Sequence, residues 1–118
     1  MAEFRNKGNL LIKYVPDYVV FDIETTGVSV VNDKIIELSA VKVKNGQVVE
    51  EFSELIDPKR PIPFEAYKVN GISDEMVAGK PTIEEILPKF LAFTKDEILV
   101  GHNIDTFDMN FIYDAALD

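Results

Sequence analysis

Tyr18-Val19-Val20-Phe21 places β-branched or aromatic side chains at four successive positions, so the strand it predicts is apolar on both faces, as a central strand covered on two sides would be. Asp22 and Glu24 then interrupt the run, and Thr25-Thr26-Gly27 supplies turn chemistry. Side chains alternate across a strand, so both acids leave one face while Ile23 leaves the other. Like charges at that spacing repel, and burial raises the cost of ionising either one. The pattern asks for a positive partner. The alternative is an edge strand whose polar face meets water, where the pair is simply solvated.

Further along, "KIIELSAVKVKNGQVVEEFSELIDP" predicts strands over 34–44 and 47–57 joined by Asn45-Gly46, the preferred pair of a type I′ hairpin, and therefore antiparallel. "KRPIPFEAYKVNGISDEMVAGKP" reads as irregular chain with short helical turns, with Ser73 as an N-cap before "DEMV" and Gly79 as a stop. Thr82 and Glu85 have capping-box spacing and open a helix whose Ile83, Ile86, Leu87, Phe90 and Leu91 share a face. Pro88 removes one hydrogen bond from that helix and bends it. "EILV", 97–100, is a short buried strand ended by Gly101. A helix between this strand and the antiparallel group implies a mixed α/β sheet with helices packed on it.

The final stretch, "GHNIDTFDMNFIYDAALD", predicts a helix from about Thr106, N-capped by Asp105 or Thr106. Projected at about 100° per residue, Phe107, Phe111, Ala115, Ile112, Ala116 and Met109 form an apolar arc with Asp108 in its middle. Asn110 and Asp114 point the other way. Asp108 is then a third inward carboxylate; if the helix starts later, Asp108 caps it and Asp105 becomes the inward acid. His102, the single histidine, is either a hydrogen-bonded loop residue or a group at a strand's carboxyl end, where ligands gather in α/β folds. Carboxylate oxygens with no cysteine among them favour Mg²⁺ or Mn²⁺ over Zn²⁺.

With 118 residues the chain is one domain able to bury roughly 65% of its unfolded surface. It has no run of about 18 apolar residues and no signal-peptide pattern at its start, so no membrane partner is expected and a cytoplasmic location is the default. The absence of cysteine excludes disulfides and thiolate metal sites. Twenty-one acidic residues against 12 basic ones give a formal charge of −9, which argues against unaided binding to a phosphate backbone. Divalent cations at an acidic site, with a partner supplying grip, would remove that objection.

"FDIETTG", "IIELSAVKVKNG", "PIPFEAYKVNGISDEMV" and "LVGHNIDTFDMNFI", in that order, resemble the DEDD superfamily of 3′-5′ exonucleases, the DnaQ-like group that includes bacterial replicative proofreading domains. The resemblance runs from about residue 18 to the end. It implies a ribonuclease H-like fold, with a three-stranded antiparallel group plus a parallel strand flanked by helices. It also implies hydrolysis of the terminal phosphodiester at the single-stranded 3′ end of DNA, or of RNA, with two Mg²⁺ or Mn²⁺ ions and a DNA polymerase subunit as a possible partner. By the same resemblance Asp22, Glu24 and Asp108 are the catalytic and metal-binding residues, and Thr25, Thr26, Val28, His102 and Asn103 lie on the substrate side.

Three departures from the family pattern stand out. Asn70 occupies a position where His or Thr is commoner; "GHNIDTFD" is one residue longer than the usual form, which keeps Asp105 beside Asp108; and Asp118 precedes the segment that carries the family's general-base His and fourth Asp. The expectation is a 1–17 extension followed by the N-terminal portion of an exonuclease domain, 18–118, with the C-terminal part of the fold missing and little activity alone. Two other readings compete. One is a non-catalytic nuclease-fold module that binds metal or a protein partner, and the other a phosphotransferase loop with Asp22 as nucleophile, for which Glu24 is the wrong second acid.

Overall fold

The computed structural model describes residues 16–29 and 31–101. The predicted 106–118 helix, the apolar residues placed on it, the Asp105 and Asp108 alternatives, His102, Asn103 and all but the last two residues of the 1–17 extension lie outside the described residues. Four strands form one sheet in the order β3-β2-β1-β4: β1 is Tyr18–Thr25, β2 Ile35–Lys44, β3 Gln47–Leu55 and β4 Leu99–Gly101. β1 pairs antiparallel with β2 and parallel with β4. The acids of β1 are therefore on a central strand, as its doubly apolar start predicts, and the edge-strand alternative fails.

The β2-β3 turn is the expected one, with Asn45 at φ 52° and Gly46 at φ 77°, both in the left-handed region that a type I′ turn requires. α1 (Phe64–Asn70) ends on Gly71 at φ 73°, α2 (Asp74–Val77) is capped by Ser73, whose hydroxyl accepts from Met76 N–H at 3.3 Å, and Gly79 turns the chain at φ 78°. α3 (Ile83–Thr94) opens at Thr82, whose N–H and hydroxyl both donate to the Glu85 carboxylate at 3.4 and 3.3 Å. It runs unbroken through Pro88, which faces solvent.

One face of the sheet, carrying Val19, Phe21 and Ile23 of β1 with Leu38 and Ala40 of β2, packs on Ile86, Leu87 and Phe90 of α3. The Phe90 ring meets Phe21 at 5.7 Å and Phe52 at 5.9 Å, both edge to face. Leu91, expected in this interface, is instead 48% exposed, because the buried stripe runs through Ile86, Leu87, Phe90 and Thr94 and leaves Leu91 on its flank. Thr94 tolerates burial because its hydroxyl donates to the Leu91 carbonyl at 3.2 Å.

A β-bulge separates two cores. Glu24 faces Glu37 but Thr25 faces Ile35, so Ile36 is an extra residue in β2. Ile35 stays with the α3 core, while Ile36 turns into a second cluster with Ile62, Ala66, Ile72 and Val77. The bulge thus seats α1 and α2 beside the carboxyl end of β1.

Candidate functional site

The even-numbered row of β1 is apolar first and acidic last. Tyr18 and Val20 pack with Val41, Val43 and Val100, and the same row continues as Asp22 and Glu24. Register extends it sideways, with Asp22 opposite Ser39 and Glu24 opposite Glu37. Residues directly opposite share a face, so three carboxylates, Asp22, Glu24 and Glu37, occupy one end of one face. Burial, and then the charge of Asp22, raise the Glu37 carboxyl above its ordinary 4.5. Sequence reasoning missed Glu37, since only the strand register brings it beside the pair.

The turn after β1 is tightly tied. Thr26 is 3% exposed; its hydroxyl donates to Asp33 Oδ1 at 3.0 Å and accepts from Lys34 N–H at 2.9 Å, while its own N–H donates to the Lys34 carbonyl at 2.9 Å. The other oxygen of Asp33 accepts from Ser29 N–H at 2.9 Å. Gly27 is needed for close approach: a Cβ there would lie 2.5 Å from Asp33 Oδ2. Thr25 donates its hydroxyl to the Gly27 carbonyl. Val28, next in line, is 84% exposed.

Asn70 braces the same point from the other side. Its amide donates to the Thr25 carbonyl at 3.2 Å, and its side-chain oxygen accepts from Ile72 N–H at 2.9 Å. The residue that departs from the usual family pattern thus ties the end of α1 to the end of β1. β4, parallel to β1, finishes beside Phe21, so both strands direct their carboxyl ends to this region.

The structure therefore places Asp22 and Glu24 on one face, with Thr25, Thr26 and Val28 at the strand end beyond them. Among the described residues no group of three or more His, Cys, Asp or Glu side chains is close enough to hold a metal ion. The donor chemistry still fits a hard divalent cation: oxygen ligands only, on a strand end where one carboxylate's negative field already hinders ionisation of another. Among the described residues no helix is long and apolar enough to cross a membrane.

A mixed sheet with a paired-acid central strand is the frame of one nuclease class, and the exonuclease family model matches residues 19–117. The chain belongs to that family, whose members generally use divalent metals. DNA polymerase III PolC-type of Clostridium perfringens (strain 13 / Type A) is 51% identical over 102 residues, 86% of this chain and 7% of that protein. The PolC-type polymerase of Caldanaerobacter subterraneus subsp. tengcongensis is 50% identical over 100 residues, 85% of this chain and again 7% of the relative. The chain thus spans a small part of the curated relatives it matches. Among solved structures, Exonuclease X in complex with 5′ overhanging duplex DNA aligns with a TM-score of 0.67 and 34% identity over 80% of this chain and 52% of that one. Exonuclease I, at 16% identity, matches in fold with a TM-score of 0.77 over 86% of this chain and 24% of that one. The ribonuclease H-like architecture expected from the sequence is thereby established.

Proposed function

We propose that this chain is the proofreading-type 3′-5′ exonuclease portion of a PolC-like replicative DNA polymerase, acting at the single-stranded 3′ end of DNA. The observation that carries the proposal is the placement of Asp22 and Glu24 on one face of the central strand, immediately before a turn held rigid from both sides. The names of the relatives, DNA polymerase III and a DNA-bound exonuclease, favour DNA over RNA. The polymerase that would supply the grip belongs to the same proposal, as does a cytoplasmic site of action.

Asp22 and Glu24 would hold the divalent cations, Mg²⁺ or Mn²⁺, together with Asp108, which lies outside the described residues. Bound there, such ions would supply Lewis acidity toward the phosphoryl group, the attacking water and the leaving oxygen. The chain's own residues provide position. The backbone at Asp22 and Glu24 is fixed by pairing with β2, so both carboxylates leave the same face of the sheet. Val28 presents an apolar side chain at the turn, where the base of the terminal nucleotide would rest, and Thr25, whose hydroxyl proton is given to the Gly27 carbonyl, would offer the sugar an acceptor only. Thr26 contributes by shaping that turn, because its hydroxyl and N–H are already engaged. His102 and Asn103 keep their expected substrate-side roles within the proposal.

The test uses the full-length gene product and a 3′-labelled single strand with Mn²⁺. Release of deoxynucleoside 5′-monophosphates is expected, with Asp22→Ala reducing the rate by at least about 1,000-fold, since the acid is required for the metal-dependent step. No mononucleotide release by the full-length protein with any divalent cation would overturn the reading.

A further inference from the structure

We infer that Asp33 is a positioning residue for substrate: its carboxylate sets the turn 25–28 and thereby the hold on the 3′-terminal nucleotide, a role that rests on the function proposed above. No sequence feature marked it. It stands seven residues after Thr26, on the approach to β2, yet both of its oxygens turn back onto the β1 turn. Oδ1 takes the Thr26 hydroxyl at 3.0 Å and Oδ2 takes the Ser29 N–H at 2.9 Å. The backbone closes the same loop, with Asp33 N–H donating to the Ser29 carbonyl at 2.8 Å. Hydrogen bonds to an ionised acceptor are about twice as strong as neutral ones, so these two bonds are among the stronger ties in the loop.

Gly27 makes the argument specific. The carboxylate lies against its Cα so closely that a Cβ would fall 2.5 to 2.8 Å from three carboxylate atoms. The turn fits around Asp33, and any Cβ at position 27 would push the carboxylate off its two partners. Thr25 and Val28 flank this contact, and the exposed Val28 side chain is carried on the segment that Asp33 fixes. Arg60 holds the far side of the loop by donating to the Asn32 carbonyl at 2.7 Å. The backbone at Asp22 and Glu24, by contrast, is held by pairing with β2. Loss of Asp33 should therefore loosen the grip on the nucleotide and leave the acids in place. The consequence is a change in KM with little change in kcat, because misplacing a binding element removes interactions made equally in ground and transition states.

The experiment compares wild type, Asp33→Ala and Asp33→Asn in the full-length protein, with a single-stranded DNA substrate and Mn²⁺, at a temperature where circular dichroism shows each fully folded. Asp33→Ala should raise KM about tenfold while kcat stays within about threefold. Asp33→Asn, which keeps an acceptor for Thr26 but turns an amide toward Ser29 N–H, should fall between. Affinity for the product deoxythymidine 5′-monophosphate should weaken in the same order. Gly27→Ala gives a second reading: its effect on KM should be smaller in the Asp33→Ala background than alone, since the clash is then gone. If wild type releases mononucleotides and Asp33→Ala shares its KM and product affinity, the positioning role is overturned while the exonuclease reading stands. Wild type without activity would remove both.

Discussion

At the residue scale, two side chains carry consequences that the sequence pattern does not announce. Asn70→Ala removes a donor to the Thr25 carbonyl and an acceptor for Ile72 N–H, and is expected to cost about 1–2 kcal/mol in urea unfolding. Glu37 bears on pH. Its carboxyl is raised above the ordinary 4.5, mainly by burial and then by Asp22, so the folded chain holds a proton there that the unfolded chain has lost. The stability that this protonation contributes is complete below 4.5 and declines as pH rises through the raised value. Glu37→Gln should consequently stabilise the metal-free protein at neutral pH and give no gain near pH 4, as denaturant midpoints across that range in chelator would reveal. Asp22 and Glu24 were legible from alternation alone, since a strand's period dictates their shared face. Glu37 and Asp33 were not, because each meets its partners through pairing and loop closure between segments distant in sequence.

At the scale of elements, most boundaries followed from local chemistry. Asn45-Gly46, Ser73 and the Thr82-Glu85 pair each set a conformation through their own backbone or nearest neighbours, and the structure keeps all three. Gly46→Ala should cost roughly 1–2 kcal/mol, because alanine resists φ 77°, and thermal unfolding would register it. The buried face of α3 was only partly legible. Helical projection places Leu91 near Phe90, but the buried stripe runs through Ile86, Leu87, Phe90 and Thr94 and leaves Leu91 on its flank. Phe90→Ala is expected to cost about 3–5 kcal/mol, since its ring touches both Phe21 and Phe52, whereas Leu91→Ala should stay within about 0.5 kcal/mol. Denaturant midpoints for the two variants separate the faces directly. The bulge at Ile36 had no sequence signal, since "KIIEL" gives no sign of which isoleucine is extra.

For the molecule as a whole, charge and topology pull in different directions. A formal charge of −9 should keep the chain from retaining a short single-stranded oligonucleotide at physiological salt in chelator, and Mn²⁺ should raise retention at least about tenfold by neutralising the acidic strand end. Fluorescence anisotropy with and without chelator checks this, and equal binding in both conditions would mean the contact lies away from the acids. By itself the sequence determined the class of fold and the acid pair on β1, because hydrophobic period, turn chemistry and motif order are all properties of neighbouring residues. Tertiary structure alone decided what stands beside that pair: Glu37 through strand register, Asp33 and Asn70 through loops that return to the end of β1, and the second core through one extra residue in β2. Register and loop return bring together groups whose separation along the chain carries no information about their distance in space.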